Sequence, residues 1–387
     1  MRFLQPRLLV LSLALAIATG CDRPGQGPSG PDADVAAVPS GASGPEPVAP
    51  LRGPTLAEEQ ADGYFGQADG VPFPVPDPLP AEARPREPVD APAPQPGPEP
   101  IDFWLGGTGT SDGRFHYPRA VTTTPDGAVF VADKTGRIQK FDPEGRLLRV
   151  VRTPGVEQGK PTALAIDAAG DLLVADTHYC RVLVYSPDLE LRRHYGVPGR
   201  EPGRFMMITA VQPGAGGLHY TLDYGDDIAR VQVFREDGTF LRSFGSFGWE
   251  PHQLRRPMNL AVDDANQRLY VADAVNHRLA IFSFEGELLG ELGGRGREPG
   301  KLMFPYDVKL DDEGRLWVAE FGNERISMLS TTGECLAVYG GPGRALGSLN
   351  TCWGVALGSA DRVWALDSGQ DRVIALTRAA VLSGVPR

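Results

Sequence analysis

Apolar residues in this chain fall into short runs that recur along its length. Residues 115–151 carry "AVFVA", "RIQKF" and "LLRVV", separated by "DG" and "EG". Residues 159–196 repeat the order with "LLVA", "RVLVY" and "LRRHY". Further copies begin near Phe205 and Leu254, at residue 304 and at Leu349. Runs of this length, punctuated by glycine-containing turns, predict a meander of four short antiparallel strands per copy. Strand A follows a proline, strand B carries a "VxVAD" pattern, strand C a "RIxxF" pattern, and strand D the last apolar run.

An acidic residue marks each copy, at Asp133, Asp176, Asp223, Asp273, Glu320 and Asp367. The intervals are 43, 47, 50, 47 and 47 residues, so there are six copies. One four-stranded unit cannot cover its own apolar faces, whereas a ring of them can. The fold class predicted is all-β, a six-bladed β-propeller of four-stranded antiparallel blades. The last copy ends "RVIALTRAAVLSGVPR" and lacks a strand D, and "IDFWLGGTGTSDGRF" precedes the first copy. Ile101–Leu105 is therefore expected to complete blade 6 and close the ring.

The same pattern demotes an apparent cluster. In "ADAVNHRLAIF" an Asp, an Asn, a His and an Arg crowd six positions, Asp273 to Arg278. The acid recurs six times, and so does an arginine four to seven residues later: Arg137, Arg181, Arg230, Arg278, Arg325 and Arg372. Groups repeated around a ring serve each blade. The acid is expected to accept turn amides at the B–C corner, braced by the arginine fork. His277 has Gly136, Cys180, Ala229, Glu324 and Asp371 at the matching positions and is expected to face solvent. Asn276 recurs only at Asn323.

The Pro-x-x-apolar strand, "VxVAD", "NxRI" and the "FG" ending resemble NHL repeats, and "NHRL" at 276–279 is close to the residues that name them. The resemblance, to an NHL-repeat six-bladed β-propeller of bacterial lipoprotein type, covers 101–387. It implies the fold more than an activity, because such propellers include scaffolds, RNA binders and lyases. Similarity to the lyase of peptidyl-hydroxyglycines would imply a zinc-binding histidine just after the strand-A proline. The residues there are Arg119, Thr162, Ile208, Met258, Tyr306 and Trp353. Similarity to metal-dependent lactonase propellers would imply channel-lining Asn, Asp and Glu, for which Asn259 and Asp307 are the candidate metal ligands. Both stand one residue later than that family's pattern, which on a strand turns a side chain to the other face. No catalytic residue and no cofactor is assigned. The expectation is a binding module, with a metal-dependent hydrolase or lyase in the channel as the alternative.

The ends of the chain change the picture. "MRFLQPRLLVLSLALAIATGC" has a basic start, a short apolar core and small residues before Cys21. The core is too short to span a bilayer and has a secretory layout. Residues 1–20 are expected to be a lipoprotein signal peptide. Cys21 would carry the lipid and hold the protein to the bacterial cell envelope, facing the periplasm or the outside, with no other membrane contact. Residues 21–100 are rich in Pro, Gly, Ala and acids, and are expected to form a disordered tether. The formal net charge of −11 divides into −9 on residues 22–100, +2 on the signal and −4 on 101–387. A mildly acidic domain is not built for nucleic acid. Cys180, Cys335 and Cys352 have no metal-ligand spacing.

The links from strand D to the next strand A hold the candidate binding residues. They carry Arg114, Arg200, Arg204, Arg255, Arg256, Arg295, Arg297, Lys301 and Arg344 against four acids. Arg119, Met258, Tyr306 and Trp353 are expected at the channel mouth, and Trp249 on a longer link. The ligand-binding set is thus Arg119, Arg200, Trp249, Arg256, Met258, Arg295, Arg297, Tyr306, Arg344 and Trp353. A basic rim around aromatic area suits a protein, peptide or glycan, with an anionic one favoured, bound by a monomeric propeller.

Overall fold

The computed structural model describes residues 83–155, 160–359 and 361–383. The expected signal peptide, the expected lipid attachment at Cys21 and the expected tether up to residue 82 lie outside the described residues.

Six antiparallel blade sheets, five of four strands and one of four with an added fifth, follow one another along the described chain. Two strands precede the first full blade, β1 (Gln95–Pro96) and β2 (Ile101–Gly106). Blade 1 is β3 (Pro118–Thr123), β4 (Val129–Asp133), β5 (Arg137–Phe141) and β6 (Leu147–Arg152). Blade 2 is β7 (Pro161–Ile166), β8 (Leu172–Asp176), β9 (Arg181–Tyr185) and β10 (Leu191–Tyr195). Blade 3 is β11 (Ile208–Gly214), β12 (Leu218–Tyr224), β13 (Ala229–Arg235) and β14 (Phe240–Phe244). A parallel pair, β15 (Ser246–Phe247) and β16 (Gln253–Leu254), stands in the link that follows. Blade 4 is β17 (Pro257–Asp263), β18 (Arg268–Asp273), β19 (Arg278–Ser283) and β20 (Leu288–Gly293). Blade 5 is β21 (Pro305–Leu310), β22 (Arg315–Glu320), β23 (Arg325–Ser330) and β24 (Cys335–Gly340). Blade 6 takes β25 (Cys352–Leu357), β26 (Arg362–Asp367) and β27 (Arg372–Thr377) from the end of the chain. Its fourth strand is β2, paired antiparallel with β27 from Ile101–Leu376 to Gly106–Arg372. The ring therefore closes as the strand pattern predicts. A short helix, α1 (Arg378–Ser383), follows and packs Val381 beside Tyr339 and Leu336.

Strand position explains composition. B strands such as β4 and β8 are buried along their whole length, because neighbouring blades cover both faces, and they read as continuous apolar runs. D strands such as β10 alternate between half-buried and exposed positions. The largest buried side chains include Trp317 and Trp364, both on B strands.

Residues 83–100 differ from their compositional reading as tether. They form a strap against blades 6 and 1. Arg86 makes two bonds to the Asp112 carboxylate, at 2.6 and 2.7 Å, and Val89 N–H donates to it at 2.8 Å. Arg86 also bridges Val150 on β6, and β1 adds a fifth strand outside β2. Pairing to an exposed edge orders a proline-rich segment that composition alone leaves loose.

One interblade contact gives a pH prediction. His219 on β12 is buried, and its Nδ1 lies 2.7 Å from the Tyr195 hydroxyl at the end of β10. Burial, with help from nearby Arg193, lowers its pKa from 6.5 to about 4. On acidification the unfolded chain takes up this proton first. The stability due to neutral His219 is therefore complete above pH 6.5 and is lost as the pH falls toward 4. Asp176, Asp223, Asp273 and Asp367 are pushed up by burial to about 6 and act in the opposite sense. The informative quantity is thus a difference between proteins. Between pH 6.5 and 4.5 the parent should lose roughly 2–3 kcal/mol more than His219→Gln, read from denaturant midpoints. Parallel pH profiles would refute the assignment.

Candidate functional site

The six acid–arginine pairs all form. The Arg–acid distances run from 2.6 Å in Arg137–Asp133 to 3.0 Å in Arg278–Asp273, and both partners are buried. Their job differs from the expected one. Among the described residues, a B–C turn amide donates to the acid in blade 1 alone, from Thr135 N–H. In blades 3 to 6 the donors are amides at the end of the D–A link, Met206 and Met207 to Asp223, Arg255 to Asp273, Met303 to Glu320, and Asn350 to Asp367, and in blade 1 the link amide of His116 also donates to Asp133. The arginine fork then holds the carbonyls of the same link. Arg325 donates to Arg297 O and Lys301 O at 2.7 and 2.9 Å, and Arg230 to Arg200 O and Arg204 O, both at 2.8 Å. Each pair ties the link arriving at its blade to that blade's B–C corner, so links and corners share a rim.

A second device, which the sequence reading missed, recurs in the same links. Five end in a fully buried apolar residue, Phe115, Phe205, Leu254, Leu302 or Leu349, in "GRF", "GRF", "HQL", "GKL" and "GSL". In four of them this residue forms a parallel bridge with a residue seven positions back, and in the fifth β15 and β16 do so. Strand D ends on a glycine that makes room for the plug. A Cβ on Gly106, whose φ is +104°, would stand 2.3 Å from the Phe115 ring.

The residue just before strand A also has a special backbone. Tyr117, Arg256, Phe304 and Thr351 have φ between +47° and +60°. Left-handed backbone is costly for any of them, and most of all for β-branched Thr351. The kinks ring the channel mouth. Tyr117 lies edge-on to Trp353 at 6.2 Å, and Arg256 stands 5.3 Å from the Tyr306 ring centre.

Four candidate binding residues form a plug in that mouth. Arg119, Met258, Tyr306 and Trp353 are only 2 to 6% exposed, all buried. The Arg119 guanidinium lies 4.2 Å from the Trp353 ring centre, Tyr306 meets Trp353 at 4.8 Å, and Phe321 stacks on Tyr306 at 4.5 Å. The space beneath them measures about 10 Å³, close to the room for one water. On the far rim a more open hollow of about 410 Å³ is bounded by A–B turns including Asp167 and Asp311. Asp167 is occupied by turn amides, and Asp311 by Arg315 and Trp317.

Asn259 and Asp307 do line the channel, against the expectation from their one-residue offset. Register shifts in strand A, between Pro257 and Leu260 and between Pro305 and Asp307, absorb the extra residue. The two side chains bond each other at 2.7 Å. Lys309 Nζ is 3.0 Å from Asp307, and Val355 N–H donates to its other oxygen. Gln212 donates to Asn259. Burial pushes the Asp307 carboxyl up, and Lys309 opposes it. Among the described residues no three His, Cys, Asp or Glu side chains converge on one point. Cys180, Cys335 and Cys352 are free thiols.

His277 is not the surface residue expected. It is half-buried, its Nδ1 accepts from Phe304 N–H at 3.1 Å, and its ring meets Phe304 at 4.3 Å. Burial, with Arg295 adding to the effect, lowers its pKa to about 4. The position is defined by its backbone in five of the six blades: Gly136, Cys180, His277, Glu324 and Asp371 have positive φ, and Ala229 does not. Asn276 and Asn323 donate to their blade acid and to a link carbonyl.

The rim itself is preorganised and partly neutralised. Arg200 pairs with Asp227, and Arg204 lies 3.7 Å from Glu201. Arg114, Arg295, Arg297, Lys301 and Arg344 are exposed. B–C corners bring Asp226, Asp227, Glu324 and Asp371 to the same rim with Lys134, so its basic excess is smaller than the links alone suggest. Trp249 is 64% exposed, and Arg255 stacks on it at 3.9 Å with Phe247 at 5.1 Å from the same guanidinium.

No protein-family profile matches the chain. A stretch of 142 residues, 36% of the chain, is 23% identical to the protein brain tumor of Drosophila melanogaster and spans 13% of that protein. Among solved structures, virginiamycin B lyase from Staphylococcus aureus is similar with a TM-score of 0.51 and 13% identity, over 71% of this chain and 98% of that one. A gluconolactonase from Xanthomonas campestris is similar with a TM-score of 0.53 and 15% identity, over 75% and 97%. Identities this low establish the six-bladed propeller and no more.

Proposed function

We propose that this chain is a lipid-anchored propeller of the NHL kind that binds a protein, peptide or glycan at the cell envelope through its D–A rim. The observation that carries the reading is the Trp249 platform. A largely exposed tryptophan with a guanidinium stacked on it is a typical binding anchor. The link beneath it is fixed three times over, by the β15–β16 pair, by buried Leu254, and by Arg278 bonding Glu250 O, Pro251 O and Gln253 O. A surface held in shape before binding loses little entropy on binding. Arg255 and the nearby rim cations favour an anionic partner. The lipid anchor at Cys21 rests on the sequence pattern around it. A channel enzyme is the weaker reading, because the mouth is filled and Asn259 and Asp307 are engaged with each other, Gln212 and Lys309.

The test is photocrosslinking in cells, with a photoreactive phenylalanine in place of Trp249 or, on the opposite rim, of Glu313. Discrete adducts from position 249 alone, lost in an Arg255→Ala background, are the expected result. In a binding assay with the partner so identified, Trp249→Ala should weaken affinity by about tenfold or more. Equal labelling from both positions, or none from 249, would refute the platform.

A further inference from the structure

Outer strands of the blades share one structurally equivalent position, paired with the residue two beyond the blade arginine. It is Trp104 in blade 6, Val150 in blade 1, His194 in blade 2, Ser243 in blade 3, Glu291 in blade 4 and Val338 in blade 5. The first two are covered by the chain's own strap, Gln95 pairing with Trp104 and Arg86 bridging Val150. In blade 4 the site supplies its own anion, with the Glu291 carboxylate 2.5 Å from Nη1 of Arg278. Blades 2, 3 and 5 have neither, and of these blade 5 has the hollow with two arginines. β24 is the last strand of its sheet, with no strand paired to its outer side although α1 packs against it, and beside Val338 lies a hollow of about 190 Å³ bounded by Arg297, Asn323, Arg325, Gly340 and Pro342.

The chemistry of that hollow is one-sided. It has two guanidinium groups and no carboxylate in its wall. Arg325 is tied to Glu320 behind it and to link carbonyls, whereas the Arg297 guanidinium is exposed and in no ion pair among the described residues, the neighbouring Glu298 carboxylate accepting from the Arg297 backbone N–H at 3.1 Å instead. Asn323 is 5% exposed, and its Oδ1 accepts no hydrogen bond. An open strand edge wants an extended backbone, a buried amide oxygen wants an N–H, and an exposed guanidinium wants a carboxylate.

We propose that the β24 edge is a slot for an extended segment of a partner protein, with an acidic side chain seated on Arg297. The strap shows that this propeller's outer strands accept added extended chain, and Glu291 shows a carboxylate at the equivalent position. Main-chain pairing along β24 would give affinity, and the hollow would give the preference for acid. In blade 5 the Arg325 Nη1 is taken by Arg297 O, so the carboxylate meets Arg297 first and feels Arg325 through space. This deepens the rim-binding reading and uses residues apart from Trp249.

The experiment uses the full chain and a fluorescein-labelled short peptide of alternating threonine and valine with one central glutamate. Versions with glutamine and with lysine at that place are its comparators. Fluorescence anisotropy should rank glutamate over glutamine over lysine, with about tenfold between the ends at low salt. Arg297→Glu should reverse the order. Arg268→Glu, an equal charge change on the opposite rim, should leave it intact. The slot is refuted if the three peptides bind alike, if no saturable binding occurs below about one millimolar, or if Arg268→Glu reverses the order as well. Failure here with an intact Trp249 adduct would remove the slot and leave the platform standing.

Discussion

Deleting residues 83–106 should abolish the cooperative thermal transition of the propeller, whereas deleting only 83–100 should lower its midpoint by a few degrees. The difference lies in β2. Ile101 and Leu105 are each 3% exposed, and Phe103 meets Trp364 edge-on at 5.5 Å. Burial of four large apolar side chains, Trp104 included, is worth roughly 6–12 kcal/mol as an upper estimate. That is comparable to the whole stability of a typical domain, about 5–15 kcal/mol. The deletion also leaves β27 as a bare edge and frees the blade 1 link, whose Gly107 N–H and Tyr117 N–H bond Asp371. The strap contributes less: an Arg86–Asp112 pair with Arg86 half exposed, and a two-residue strand. Surface pairs of this kind are worth at most about 1 kcal/mol each. Differential scanning calorimetry of the two truncations checks this, and an unchanged midpoint after loss of 101–106 would overturn the closure.

Arg325→Ala should destabilise the protein by about 3–5 kcal/mol, because it leaves Glu320 buried without its partner. For a domain of this size that is a fall in Tm on the order of 10 °C. Glu320 is fully buried and also accepts from Met303 N–H, Asn323 and Ser327. Those bonds keep it in place and cannot neutralise it. Arg325→Lys should recover little, since one ammonium cannot reach both the carboxylate and the link carbonyls that the fork spans. Arg344→Ala, at an exposed rim position, should change stability by less than about 0.5 kcal/mol. Equal effects at 325 and 344 would show that the repeated pairs do not hold the links.

Periodicity revealed the propeller because each blade repeats the same burial problem. It likewise marked Asp273 and Arg278 as structural, since no single site needs six copies. The plug residues "GRF" and "GKL" were just as visible, but a phenylalanine or leucine in a glycine-rich link gives no sign that it is buried. Left-handed φ at His277 and four of its equivalents escaped notice for a related reason. Gly, Cys, Glu and Asp share no side-chain property, only a tolerated backbone.

The sequence by itself determined the number of blades, their strand order, the strand that closes the ring, and which rim carries the arginines. Those follow from repeat spacing and alternation, which are local. Only the tertiary structure decided that Arg119, Met258, Tyr306 and Trp353 fill the mouth, that Asp307 is held by Asn259 and Lys309, and that the strap covers two of the outer edges. Each depends on where side chains from different blades converge, and strand bulges move that point by a residue. Exposure of Trp249 and the open edge of β24 belong to the same class, because a surface is defined by what the rest of the chain leaves uncovered.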